Sequence, residues 1–444
     1  MLKQGLSLLL FGIVMMQSPP SWGDDWPQWM GPERNDVWEE SGIVEQLPKD
    51  GPKVLWRQEV AKGYSGPAVY GDYVVVTDYV ITSGEAKNDP GGRPQLKGRE
   101  RVQCLEESTG KILWTYEYDC EYQISYPSGP RCTPTIDTQP GADKVYTLGA
   151  EGNLTCLQLS TGKLVWAKDL KQAYHTTAPV WGFAGHPLIF NDQLICLVGG
   201  EGSVAVSFNK NDGTENWKAL SASEPGYAPP TLIEAGGTKQ LLIWDADKLN
   251  SLNPTNGHVY WSYPLKPSYG MAIMGPQKSG NQLFASAYEN TGAMFKLDPN
   301  EPAVTLDWMA DRKSAFFAVN TTPLFYDDVL YGMDSSRGSL IALDPKDGSR
   351  LWESFQPAAG ERRMKNATAF ITRNHDQFFL MNDQGELIIA KLTRKGYTEI
   401  SRAPILKPTG ENGGRSVVWS HPAYAHKKLF ARNDQEIVCI DLAR

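Results

Sequence analysis

Residues 152–166 read GNLTCLQLSTGKLVW and residues 338–352 read GSLIALDPKDGSRLW. Each stretch runs from a Gly turn through an alternating segment to a second Gly turn and closes on a strand that ends in Trp. Alternation over this length marks a half-buried strand, and the Thr-Gly or Asp-Gly step supplies the positive φ of a short hairpin loop. Working outward, the same closing Trp recurs at 56, 114, 166, 217, 261, 308 and 352, with a degenerate Ile400 after them. The mean spacing is about 49 residues, the size of one propeller blade.

Each unit is completed upstream. A Gly-bearing turn precedes the alternating segment in GAEGN (149–153), GGEGS (199–203), SSRGS (335–339) and NDQGE (382–386), and before it stands a β-prone run such as KVYTLG, LICLVG, QLLIWD or QFFLMN. Earlier still comes a Pro-containing strand start: GPAVYG (66–71), CTPTID (132–137), TAPVWG (177–182), APPTLI (228–233), TTPLFY (321–326). Four short strands per unit make one antiparallel blade. The expected fold is therefore all-β, an eight-bladed propeller over 53–444. The last unit lacks a closing strand, and KVLWRQEV at 53–60 is a closing strand without a blade, so pairing them closes the ring and removes an open sheet edge. Trp56, Trp114, Trp166, Trp217, Trp261, Trp308 and Trp352 are read as structural, filling the space between blades, with a cost of about 3 to 5 kcal/mol on truncation. Residues 24–52 are expected to pack as an extension on the outside of the propeller. The largest insertion, ITSGEAKNDPGGRPQLKGRE (81–100), reads as a surface loop.

The 444 residues carry 43 Lys and Arg against 51 Asp and Glu, a formal charge of −8. An acidic balance argues against nucleic acid or an anionic membrane surface as the main partner. Residues 1–23 combine Lys3, an apolar run from Leu6 to Met16 and small residues at Ser21 and Gly23, the pattern of a signal peptide cleaved near Gly23. The apolar run is too short to span a bilayer, and a periplasmic or secreted monomer without a transmembrane span is expected. In an oxidising compartment disulfides can form among six cysteines, and Cys120 with Cys132 is the favoured pair. Cys104, Cys156 and Cys439 read as small buried hydrophobes.

Chemistry-bearing motifs are few. Gly200-Glu201-Gly202-Ser203-Val204-Ala205 matches a dinucleotide fingerprint but is followed by an alternating strand where a helix is required. The six histidines contain no metal-ligand spacing, and no metal site is expected. Propellers place the segment entering each innermost strand at the mouth of the central channel, which makes Tyr64, Arg131, Trp181, His186, Tyr227, Tyr269, Asn320, Lys365, Asn366, Arg415, Trp419 and His421 the candidates for a ligand-binding funnel. Arg362, Arg363, Lys365 and Arg415 suggest a small anionic ligand.

The units quoted above resemble the repeat of pyrroloquinoline-quinone (PQQ) enzymes and of the BamB propellers of outer-membrane assembly. DWPQWMGPERNDV (25–37), VWGFAGHPLI (180–189) and VVWSHPAYA (417–425) resemble secreted quinone-repeat propellers of planctomycete-type bacteria. The resemblance implies an exported scaffold that binds an envelope protein or a small ligand. The alternative it implies is a PQQ-dependent alcohol or sugar dehydrogenase using calcium in the funnel. The sequence departs from the dehydrogenases in having no adjacent cysteines, and from BamB in having no Cys before Cys104.

Overall fold

The computed structural model describes residues 25–289, 291–311, 314–358, 360 and 362–444; the expected leader lies outside them. Eight four-stranded antiparallel sheets follow one another around a ring. Their innermost strands begin at Ala68, Thr135, Leu188, Thr231, Gln277, Leu324, Ala369 and Ala423, numbering blades one to eight. Blade eight is completed by Val54–Glu59, with Trp56 opposite Cys439, so the two ends of the propeller are joined by strand pairing.

The closing Trp residues work as seams. The Trp114 indole Nε1–H donates to Leu159 O of the next blade at 2.8 Å, and those of Trp56, Trp166, Trp308 and Trp352 likewise reach the following blade. The ring lies on the turn glycine of that blade: a Cβ on Gly110, Gly162, Gly213, Gly257 or Gly348 would meet the indole of Trp56, Trp114, Trp166, Trp217 or Trp308 at 2.9 Å or less. These glycines also sit at φ between +71° and +75°, so both turn geometry and ring contact require them. Only Trp56 and Trp217 are fully buried. The other five are half-exposed, which lowers the expected cost of truncating them. Every blade also carries a register shift between its third and outermost strands, beside the Trp in seven of them. Such bulges increase strand twist.

Three expectations need correction. The insertion of blade one, 81–100, is a loop only over 84–95, because Tyr73–Ser83 and Leu96–Glu106 pair along their length and take up its two ends. TAPVWG is not a strand start: blade three begins at Leu188–Phe190, and 177–182 belong to the segment leading into it. Cys120 and Cys132 are not joined, and all six cysteines are buried free thiols. The Cys120 thiol faces Asn153 Oδ1 at 3.8 Å and the Cys132 thiol faces Phe183 O at 3.9 Å, so the two point to different neighbours.

The extension is also not outside. Trp26 exchanges backbone hydrogen bonds with Val69 of blade one, Pro27 O accepts from Ile136 N–H of blade two, and Arg34 donates to Pro187 O and His186 O ahead of blade three. Asp36 O and Trp38 N–H then bond Arg373 of blade seven. Trp26 and Trp38 are buried against Tyr424, and Trp38 also against Phe379. The segment thus crosses the central channel and closes one end of it. The reason is apolar area: two fully buried indoles bring more than an outer surface could cover.

Candidate functional site

Above this plug lies a cavity of about 920 Å³ to which the segments entering all eight innermost strands contribute. Tyr64 comes from blade one, Arg131 from two, Trp181 and His186 from three, Tyr227 from four, Tyr269 from five, Asn320 from six, Lys365 and Asn366 from seven, Trp419 and His421 from eight. Eleven of the twelve candidates therefore line one space. Arg415 does not: its guanidinium donates to Asp383 Oδ2 at 2.7 Å and to Asn366 O at 3.1 Å. Arg363 donates to Ser336 O at the surface, and Arg362 is exposed. Of the four cations expected together, only Lys365 reaches the cavity.

The floor is Trp29. Its ring stacks on His186 at 4.9 Å, approaches His421 edge-on at 6.5 Å and carries the Arg34 guanidinium 5.5 Å from its centre. His186 Nδ1 accepts from Thr133 N–H, and burial, with Arg34 and His421 beside it, holds its pKa well below the usual histidine range. His421 is the opposite case. Burial opposes its charge, but the Asp36 carboxylate 3.2 Å away outweighs this and raises its pKa. Nδ1–H donates to Pro422 O, and Nε2 faces the Asp36 carboxyl, whose own pKa burial raises. The two histidines flanking the floor are thus shifted in opposite directions.

The walls are aromatic with polar tips. Trp181 meets Tyr227 edge-on at 5.7 Å, and Tyr126 lies 6.1 Å from Trp419. Arg131 sits over Tyr64 at 5.2 Å while donating to the carbonyls of Ser125, Tyr126 and Gly129. Burial pushes the Tyr64 phenol up to about 12, which keeps it a donor. Lys365 Nζ lies over the Tyr288 ring, whose hydroxyl raises its pKa. At the mouth Tyr269 is 70 % exposed, 6.3 Å from Tyr288.

Two properties mark this cavity as more than a filled channel. Glu224 Oε2, Thr133 Oγ1, Tyr227 Oη, Asn366 Oδ1 and Trp419 Nε1 are buried without a hydrogen-bond partner, although buried polar atoms are nearly always satisfied. Tyr126, Tyr269, Glu289 and Asn366, all lining it, hold positive φ between 49° and 61°. Non-glycine residues held in that region cost energy and cluster where a surface is shaped for a ligand.

The residues missed by sequence were Trp29, read as external, and Tyr126, Glu224, Tyr288 and Glu289. Tyr126 and Glu224 stand inside entry segments already suspected. Tyr288 and Glu289 come from the turn between the second and third strands of blade five, the place of the Gly-bearing turns in other blades, which read as turn geometry and not as part of the funnel.

An eight-bladed ring with Trp-closed blades and a central funnel defines the class of PQQ-like β-propellers. The chain belongs to the family whose model is described as "Outer membrane protein assembly factor BamB", matched over residues 98–315 and 305–444. BamB of Shewanella oneidensis is 18 % identical over 254 residues, 55 % of this chain and 62 % of its own length, so the match spans less than two thirds of that relative. BamB from Moraxella catarrhalis is similar in structure, with a TM-score of 0.58 at 15 % identity over 88 % of this chain and 99 % of its own. The quinohemoprotein alcohol dehydrogenase of Comamonas testosteroni has a TM-score of 0.61 at 12 % identity, covering 95 % of this chain and 81 % of its own. A europium-containing methanol dehydrogenase also scores 0.61, at 11 % identity over 95 % of this chain and 90 % of its own. At these identities the structural likeness establishes the fold.

Proposed function

We propose that this chain is an exported propeller of the cell envelope that acts as a binding scaffold, with the plugged funnel as its ligand site. The observation that carries the reading is the blind cavity with five orphaned polar atoms in its walls, those of Thr133, Glu224, Tyr227, Asn366 and Trp419, since a channel filled for stability alone would pair them. Membership of the BamB family supports an envelope setting and a protein partner, and residues 1–23 supply the leader that export requires. Among the described residues no helix is long and apolar enough to cross a membrane.

The second reading, a PQQ-dependent dehydrogenase, rests on the likeness to the two alcohol dehydrogenases. A calcium-bound quinone needs six to eight oxygens converging on the ion. The carboxylates lining the cavity are Glu224 and Glu289, from different blades, and no group of three or more His, Cys, Asp or Glu able to hold a metal exists among the described residues. The residues do not fit that cofactor complex.

The test is native mass spectrometry of the chain recovered from its own envelope fraction, beside the Trp181→Ala/Trp419→Ala variant. A bound species present in the first and lost in the second is expected. Recovery of both in identical, ligand-free form, with no difference in co-purifying proteins, would remove the reading.

A further inference from the structure

Resting on the ligand-binding reading, we infer that the funnel takes an uncharged oligosaccharide of a few rings. The charge of the cavity comes first. Arg131 and Lys365 are offset by Glu224 and Glu289, Lys266 is paired with Asp247 at 3.3 Å, and His421 with Asp36. No excess of either sign remains to draw an ion, so the anionic ligand suggested by the basic residues of blade seven loses its basis once Arg415 is committed to Asp383.

Next is shape. Aromatic rings partly open to the cavity at Trp181, Tyr288 and Trp419, and the exposed Tyr269 at the mouth, are distributed around its wall. An aromatic face carries partial negative charge and seats the weakly positive C–H face of a pyranose ring, an attraction that needs no ligand charge. A purely apolar ligand is disfavoured because Asn320, Glu289 and Lys365 line the same space and would lose water without gaining a partner. Hydroxyl groups both donate and accept, so a sugar chain carrying them along its length can meet polar groups of either kind contributed by different blades. The exposed Tyr269, held at φ 57° where a bulky residue is strained, presents such a face at the entrance. A volume near 920 Å³ is at the upper end for small-molecule sites, suited to a chain of several rings.

The full chain is titrated calorimetrically with cellotetraose, maltotetraose, chitotetraose and xylotetraose, with a mixed tetrapeptide pool, tripolyphosphate and PQQ as comparison arms. At least one tetrasaccharide is expected to bind in the micromolar to millimolar range, with affinity changing less than twofold between low and high salt, as for an uncharged ligand. Trp181→Ala and Trp419→Ala, whose rings are half-exposed to the cavity and outside the blade seams, are each expected to weaken it at least tenfold with unchanged circular dichroism. Glu224→Gln, which keeps shape and alters the acceptor, should weaken it severalfold. Failure of all four sugars, or binding that the tryptophan variants do not alter, overturns the inference. If a peptide, anion or quinone binds instead, in a manner lost in those variants, the sugar assignment falls and the binding function stands; if nothing binds and no native adduct exists, both fall.

Discussion

Replacing Gly162 by Ala separates the contribution of a blade seam from that of turn geometry. At φ +71° an L-residue pays a steric cost of about 1 to 2 kcal/mol, partly offset by the reduced freedom of the unfolded chain. The added Cβ would lie 2.5 Å from Cδ2 and Cε3 of Trp114, roughly 1 Å inside contact distance, so the indole must shift. Shifting it weakens the 2.8 Å bond from Nε1 to Leu159 O, about 1 kcal/mol, and part of the packing of a half-buried ring, about 1 to 2 kcal/mol. The expected loss is about 3 kcal/mol. Gly71→Ala is the control: φ is +53° and the new methyl meets nothing within 4 Å, so about 1 kcal/mol of strain is expected. Equilibrium urea unfolding of both variants measures the difference, and in a Trp114→Ala background Gly162→Ala should cost only about 1 kcal/mol, a coupling of about 2 kcal/mol, because the clash partner is gone. If Gly162→Ala costs no more than Gly71→Ala, or the pair shows no coupling, the tryptophan-on-glycine seam does not hold the blades together.

Three further outcomes are expected. His426 bonds Asp25 of the plug and Glu107 of blade one, which raise its pKa to about 9; its stabilisation is complete below about 6.5 and lost as pH rises through 9. The wild-type unfolding free energy from urea curves should therefore fall relative to that of His426→Asn by on the order of 2 kcal/mol between pH 6 and 10, after allowing for the partial solvent screening of the site, and parallel curves would refute it. Arg432 is fully buried and donates to the carbonyls of Thr77, Ala61 and Asn433, so Arg432→Met should destabilise by about 3 to 5 kcal/mol by orphaning them, read by thermal unfolding. Alkylation in denaturant without reductant should label all six thiols, with none labelled in the native protein, where burial pushes Cys104 and Cys156 up to about 12; labelling of four would restore a disulfide.

The legible part of the site was its location. The entry segments are fixed by the repeat, so Tyr64, Trp181, Trp419 and eight others converge because a ring brings equivalent positions to one axis. Arg415 failed because its partner Asp383 lies 32 residues earlier, and nothing in the local pattern reveals that pairing. The two thiols were misjudged for a related reason, since proximity in sequence says nothing of which way each side chain faces.

The eight-fold count, the strand pairing of the ends and the role of the closing tryptophans were determined by the sequence alone, because each depends on short-range turns and alternation repeated about every 49 residues. The route of residues 25–47 was decided only in three dimensions. That segment has no repeat to align with, and its Trp26, Trp29 and Trp38 are indistinguishable from surface anchors until the channel they fill exists. Closing that channel turns a pore into a pocket, and the electrostatic neutrality of the pocket emerges only once Arg415 and Asp36 have found their partners across blades.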